Sequence, residues 1–459
     1  MSAEIHGRAL RRFAAFGTVL LSCLSVAAAQ VNPTTAPSGD TAQEVTHDYM
    51  VEFYPLWFTY NQRHGPNINH MVGPNRVSPL YQIVVAINVD TLYASSFLDL
   101  STGPMVLTVP RTKVRYSILG LDPYGDVFKT GIDTSTNGVY LLTTKDYNGP
   151  VPKTTTAIQI PYTYTILIFR ADKHSSDGKD QERWAALFRK QLKLQDLAGW
   201  LKNPRGGRAR IMPEIGFAKP FKTIADTMVA NNPINFLEQL QTAVHGAPTP
   251  PMSEKQKALS DSFDALFNTR KQPDAFAAGA QSAHADILND YQGHTGATQW
   301  IHFLNIGHWG PDESLDRSAI TEFIQYGNDI QAAAYYQTFN DANGHPLDGT
   351  NPKGYVLKIP KDQIPEAQRF WSFTAYTPQS IELVRNSDKK YVVASYTPNL
   401  KYNKDGSITI AIARGRPKDT PEPNWLPAPK GPFNVMLRVY GPEGAVANDT
   451  YVPPAIQRQ

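Results

Sequence analysis

Apolar residues recur along this chain with two different periods, and the change of period divides it. From about 45 to 62, Tyr49, Phe53, Trp57 and Tyr60 fall at spacings of four, four and three, one face of an amphipathic helix. After a loop marked by Gly65-Pro66-Asn67 and Gly73-Pro74-Asn75 the period drops to two. Short β-branched and aromatic runs follow at Gln82–Ile87, Met105–Val109, Val114–Leu121, Val139–Thr143, Ala157–Ile160 and Thr163–Phe169. They end in turn residues, the pattern of antiparallel strands in a sandwich or barrel.

Residues 181 to about 340 read differently. Trp184, Leu187, Phe188 and Leu201 fit a helical stripe, and Leu259, Phe263, Leu266 and Phe267 follow a capping-box arrangement at Ser253 and Gln256. Ala-rich stretches at 275–287 and 315–335 favour helix, and the Pro-rich segment 247–251 separates two of these helices. From 354 onward strands return at Tyr355–Ile359, Phe370–Tyr376, Ile381–Val384, Tyr391–Tyr396, Ser407–Ala413 and Asn434–Tyr440. No repeat of 20–50 residues is visible. The expectation is a mainly β chain, α+β overall, with antiparallel β domains at 45–175 and 341–459 flanking a helical segment at 176–340.

Composition narrows the class. The 459 residues carry 44 Lys+Arg against 41 Asp+Glu, a net charge of +3 that gives no footprint for nucleic acid. Charged residues at 19% and aromatics at 11% exclude an intrinsically disordered chain. Residues 1–29 read as an export signal: Arg8, Arg11 and Arg12, an apolar run from Phe13 to Val26, then Ala27-Ala28-Ala29 before Gln30. That run is too short for a comfortable membrane span, and no other stretch approaches the length. Lipidation at Cys23 and a twin-arginine route through Arg11-Arg12 are the competing readings. Cleavage after Ala29 would remove Cys23, the only cysteine, leaving a periplasmic or secreted protein without disulfides or thiolate chemistry. Residues 30–44 read as a flexible lead-in.

Two sets of strings carry a family resemblance. Asn88-Val-Asp-Thr-Leu-Tyr-Ala-Ser-Ser-Phe-Leu-Asp-Leu100, Gly103-Pro-Met-Val-Leu-Thr-Val-Pro110, Arg115-Tyr116 and Asp122-Pro-Tyr124 resemble the first of a pair of domains of unknown function, numbered 1254 and 1214. Asp348-Gly349, Phe370-Trp-Ser-Phe-Thr-Ala-Tyr376, Asp405-Gly-Ser407, Asn424-Trp-Leu-Pro-Ala-Pro429, Phe433, Leu437-Arg-Val-Tyr440 and Tyr451-Val-Pro-Pro454 resemble the second. Phe97 stands where the family tends to have Trp. The resemblance implies an exported bacterial protein of two β-sandwich, jelly-roll-like domains with helical additions. It implies no reaction.

Several residues could carry chemistry. Asn88, Asp90, Thr91 and Tyr93 cluster at a strand–turn junction, and Asp90 with Asp122 or Asp126 could form the carboxylate pair of a glycoside hydrolase. Alternatively Asn88 and Asp90 bond their own turn backbone while Thr91 and Tyr93 pack in a strand. Arg115 and Arg438 are charges beside or within apolar strands and must reach partners, because an unpaired buried charge is very costly. Trp371, Trp425, Tyr376 and Tyr440 could form an aromatic platform or simply belong to the core. His64, His70, His294, His302 and His308 lack the spacing of a zinc-protease helix, so a metal site would have to assemble in three dimensions. Asp341-Ala-Asn343-Gly344 with Asp348 opens like a calcium loop but has Pro352 in place of the closing glutamate. Nucleophile-elbow, Walker and dinucleotide motifs are missing.

These residues point to recognition, and in a stronger version processing, of a small polar or carbohydrate-like ligand in a cleft between the two β domains. Asn88, Asp90, Thr91, Tyr93, Arg115, Asp122 and Tyr124 would offer polar groups, and Trp371 or Trp425 an apolar wall. No cofactor follows from the sequence. The rival readings are a non-catalytic envelope or assembly protein, self-associating through its sheet surfaces, and a metal-assisted hydrolase using the histidines.

Overall fold

The computed structural model describes residues 41–63, 67–81, 84–213, 220–246 and 250–459. The expected signal segment, Cys23, the lead-in as far as residue 40, and His64 lie outside the described residues.

Thr41 and Glu44 close a capping box, so helix α1 (Ala42–Gln62) starts three residues before the apolar stripe and takes in the end of the expected lead-in. Its burial is nearly all-round: Tyr49, Phe53, Tyr54, Trp57 and Phe58 are each at most 1% exposed. Tyr60, expected on the same face, is instead exposed.

Eight strands follow: β1 (Val72–Pro74), β2 (Thr91–Asp99), β3 (Met105–Val109), β4 (Tyr116–Leu121), β5 (Val127–Phe128), β6 (Gly138–Thr143), β7 (Thr156–Gln159) and β8 (Tyr164–Asp172). Next come α2 (Glu182–Gln191), β9 (Lys193–Asp196), α3 (Leu197–Lys202) and β10 (Arg210–Met212). They form a six-stranded sheet in the order β10-β1-β2-β8-β4-β5 and a four-stranded sheet β7-β6-β3-β9. Leu92, Leu98, Leu107, Leu142, Leu167 and Phe169 fill the space between the sheets, which is the sandwich the alternating runs called for. Of the strand expected at Gln82–Ile87, residues 84–87 are bend, turn and irregular backbone instead, and 82–83 lie outside the described residues. The helical stripe of α2 and α3 is only half right, because Trp184, Leu187 and Leu201 face outward while Phe188 is buried.

Helices α4 (Phe221–Asn231), α5 (Pro233–His245), α6 (Glu254–Phe267), α7 (Pro273–Gly293) and α8 (Ser314–Phe323) gather around α1. Tyr49 stacks on Phe263 with ring centroids 3.8 Å apart, and Trp57 on Phe236 at 5.3 Å. The Ala-rich stretch expected to be helical to 335 breaks at Phe323, because Gln325 and Tyr326 adopt left-handed backbone angles. Its tail becomes β11 (Ala333–Thr338), every residue of which is buried.

The remaining elements are β12 (Tyr355–Ile359), β13 (Ala367–Tyr376), β14 (Val392–Ala394), β15 (Ile408–Ala413), β16 (Trp425–Pro427), β17 (Asn434–Pro442), the short α9 (Gly444–Ala447) and β18 (Gln457–Arg458). They pair as β11-β17-β13-β14 and β16-β15-β12-β18, with Leu357, Phe373, Ile410, Leu437 and Val439 between the sheets. Ile381–Val384 is not a strand: Ile381 has a φ of 49°, and Leu383 makes only an isolated bridge to Tyr376. The architecture is thus α+β and mainly β, two sandwiches with a helical layer.

Both larger sheets are covered on two sides. In β2, Leu92, Ala94 and Leu98 face the sandwich core while Tyr93, Ser95 and Phe97 face away. In β17, Leu437 and Val439 face their own core while Arg438 and Tyr440 point the other way. The residues on these outer faces meet around a cavity.

Candidate functional site

The cavity has a volume of about 230 Å³. One wall is the pairing of β2 with β8, in register Tyr93–Arg170, Ser95–Ile168 and Phe97–Ile166. The other holds Tyr335 of β11 opposite Arg438 of β17, with Tyr440 one pleat along. The turn at 84–88 and residues 324–326 after α8 close the sides. Met212 and Pro213 also line it and are exposed, which marks the side that reaches solvent. Most of the lining surface is apolar, aliphatic and aromatic together, and its charge sits on two arginines.

Arg438 is 2% exposed and Arg170 5%. Arg438 Nη2 donates to the Ala86 carbonyl, its guanidinium lies 5.4 Å from the Tyr376 ring centre, and Nη1 has no partner. Arg170 donates from Nη1 to Asn328 Oδ1 at 3.1 Å and from Nη2 to the Tyr326 carbonyl at 3.0 Å, while Nε has no partner. Among the described residues neither forms a salt bridge, although the charge of Asp90 acts on Arg438. Two phenol oxygens of the lining accept hydrogen bonds from amides. Tyr440 Oη accepts from Asn88 Nδ2 at 2.9 Å, and Tyr335 Oη accepts from the Asn328 backbone N–H at 3.1 Å. Burial raises the pKa of Tyr93 and of Tyr440, so both stay protonated at neutral pH.

Backbone strain gathers at the same place. Ala86, Gln325 and Tyr326 line the cavity with φ of 48°, 45° and 49°. Side chains disfavour that region, and it persists where surrounding contacts over-determine it. Here Arg438 holds the Ala86 carbonyl and Arg170 the Tyr326 carbonyl.

Of the residues singled out in the sequence, Asn88 and Tyr93 line the cavity. Asp90 lies beside it, buried, with one oxygen accepting from Ser372 Oγ at 2.7 Å and the other from the Tyr396 hydroxyl. Its own N–H donates to Asn88 Oδ1, so Asn88 bonds the turn backbone as the turn reading expects, while the Asp90 carboxylate bonds two hydroxyls of the second domain instead. Thr91 is buried in β2. Asp122 closes a separate turn, its Oδ1 accepting from the N–H groups of Tyr124 and Asp126 at 2.9 Å each. Asp90 lies beside Lys173 and Asp122 just past the level of Ile166, at opposite ends of β8, and neither lines the cavity, so the two do not form the carboxylate pair of a glycosidase. Tyr124 packs in the helical core under Arg317, 4.8 Å away. Arg115 is exposed and donates to the Gln368 carbonyl at 2.6 Å. Trp371 is in the second sandwich core, and Trp425 is buried with Nε1 donating to the Ala413 carbonyl at 2.9 Å, so neither forms the expected apolar wall. Asp341 Oδ1 accepts from the N–H groups of Asn343 and His345, a polar turn.

The histidines do not converge. His294 faces Asp316 at 3.5 Å, His302 faces Asp449 at 3.0 Å and His308 faces Asp329 at 3.3 Å. Two mixed sets do come together: Asp290, His294 and Asp316, and Asp226, His284 and Glu322. In the second, the Lys222 ammonium and the His284 ring each pair with both carboxylates, so two cations of the chain's own already stand against the two acids. His284 is driven up to about 9 by those two acids against the cost of burial.

Sequence reasoning missed Arg170, Tyr335 and Tyr326. Arg170 had a signal: it is a lone charge directly after the apolar run Thr163–Phe169, the same argument that singles out Arg438.

Family comparison follows the same division. Residues 68–196 match the model of DUF1254 and residues 332–444 that of DUF1214, each a protein family of unknown function. This is a DUF1254–DUF1214 protein. The cavity draws on both domains, with Tyr93 and Arg170 from DUF1254 and Tyr335, Arg438 and Tyr440 from DUF1214. The crystal structure of the VPA0106 protein from Vibrio parahaemolyticus is similar in fold, with a TM-score of 0.60 at 19% identity over 91% of this chain and 99% of that one. A second solved structure, of an uncharacterised protein from Burkholderia cenocepacia, aligns with a TM-score of 0.44 at 14% identity over 91% of this chain and 94% of that one. No curated protein matches the chain. Among the described residues, no helix is long and apolar enough to cross a membrane.

Proposed function

We propose that this DUF1254–DUF1214 chain is a small-molecule receptor, exported through its N-terminal segment, which takes its ligand in the cavity between the two β sandwiches. The observation that carries the reading is a mainly apolar cavity of about 230 Å³ whose lining holds two buried arginines with N–H groups unused among the described residues. For scale, about 150 Å³ of apolar space is enough to admit benzene. Concave, mostly apolar space at a domain junction with a few placed polar groups is where ligands bind. The mostly apolar lining shifts the ligand away from a carbohydrate and toward a compact molecule with an apolar body. Asp90 and Asp122 are engaged in their own turns and contacts, so recognition rather than glycoside hydrolysis fits the residues around this space.

The test is a thermal-shift screen of the purified protein against small cyclic and aliphatic compounds, run beside the filled variant Ser95→Phe. Ligands of the native protein raise its melting temperature and leave the filled variant unmoved. Equal shifts in both proteins would place binding elsewhere and overturn the reading. Mass analysis of the protein recovered from the periplasm tests export: a chain beginning at Gln30 is expected, and an intact N-terminus contradicts it.

A further inference from the structure

The hydrogen-bonding inventory of the cavity is one-sided. Among the described residues, Arg438 Nη1 and Arg170 Nε are buried N–H donors with no acceptor. Tyr440 Oη accepts from the Asn88 side-chain amide and Tyr335 Oη from both the backbone and the side-chain N–H of Asn328, and among the described residues no hydrogen bond uses either hydroxyl proton. Buried polar groups in a native protein are almost always satisfied, and an orphan buried donor costs desolvation energy that nothing returns. Donors in surplus require an acceptor.

The charge count points the same way. Two buried guanidiniums face this space, and Asp90 is the carboxylate acting on Arg438. Both oxygens of Asp90 already accept from Ser372 and Tyr396. The neighbouring acid Asp172 is taken by a two-point pair with Arg369. Two positive charges against one negative leave one positive charge uncompensated among the described residues. An isolated buried charge is very costly unless something pairs it. The arginines are also held rigidly, through carbonyls of strained backbone at Ala86 and Tyr326. A guanidinium fixed in that way presents its free edge to a ligand in a preset direction.

We infer that the ligand is a monoanion, a carboxylate on a compact apolar body, whose oxygens take the free N–H of Arg438 and the hydroxyl protons of Tyr440 and Tyr335. This deepens the receptor reading and rests on it. Ile166, Ile168 and Phe97 offer apolar surface to the body of the molecule. One uncompensated charge suits a carboxylate rather than a doubly charged phosphate. Burial keeps the Tyr440 phenol protonated, so it remains a donor across the physiological pH range.

Calorimetric titration with matched probes tests this: benzoate and cyclohexanecarboxylate against benzamide, cyclohexanecarboxamide and phenyl phosphate, at pH 7. The acids should bind roughly 10- to 100-fold more tightly than their amides, the worth of a charge-assisted hydrogen bond. Arg438→Met should bring the acids down to the affinity of the amides, with an unchanged circular dichroism spectrum and melting transition showing that the variant is folded. Tyr440→Phe, which removes a single hydroxyl, should weaken the acids by more than it weakens the amides, whose carbonyl accepts from the same hydroxyl without a charge. Amides binding as well as acids would overturn the inference and leave the receptor reading standing. Phenyl phosphate binding more tightly than benzoate would overturn the monoanion assignment. If no probe of either charge binds, the receptor reading falls and this inference with it.

Discussion

Arg438 and Arg170 are held by backbone carbonyls and an amide, with no carboxylate bonded to either among the described residues. Asp122 shows the opposite arrangement at residue scale. Its carboxyl accepts two backbone N–H bonds, yet burial and the nearby Asp126 push it up to about 7. A carboxyl raised in the folded state contributes stability that is full below its unfolded pKa, near 4, and is lost as pH rises through about 7. Asp122→Asn keeps an oxygen acceptor for both N–H bonds and removes the titration. Urea unfolding should therefore show the variant gaining on the native protein between pH 4.5 and 8, by on the order of 2–4 kcal/mol. Parallel stabilities across that window would contradict the assignment. Legibility at this scale followed one rule. A charge within an apolar strand stood out at Arg438, while Arg170 escaped because it falls just beyond the residue where the apolar run ends. Trp371 and Trp425 misled, since the sequence shows that a ring lies in a strand but not which of two sheet faces it takes when both are buried.

At the scale of elements, α1 is the axis of the helical layer, and its neighbours approach through small residues. A side chain on Gly279 of α7 would place its Cβ 2.5 Å from the Gln43 carbonyl and 2.7 Å from Thr46 Cβ on α1. Gly279→Val must push the helices apart and should cost about 1–3 kcal/mol in denaturant unfolding. An unchanged midpoint would mean the helices do not pack at this crossing. Most strands were legible because each sandwich imposes an alternation of period two, and the Ser253–Gln256 box at the start of α6 was legible from four residues. The failures share a cause. At 315–335 alanines favour helix, but pairing of Ala333–Thr338 with β17 over six positions overrides the local preference. The strands expected at 82–87 and 381–384 are apolar because they are buried near the cavity, with Ala86 and Ile381 in left-handed conformations and the Ala86 N–H bonded to the Ile381 carbonyl.

For the whole molecule, both β domains turn a second buried face toward common space, and the cavity takes its two arginines from different domains, Arg170 from the first and Arg438 from the second. The general placement, between the sandwiches, was readable from two β sections flanking helices. The lining was not, because it depends on strands more than 200 positions apart in the sequence. Carboxylate binding in this cavity is tested most directly by a crystal structure of the protein grown with 4-iodobenzoate, read at the iodine anomalous signal. Iodine is expected among Phe97, Ile166 and Ile168, with the carboxylate on Arg438 Nη1. Iodine found only outside the cavity, with that guanidinium still unpartnered, would contradict it.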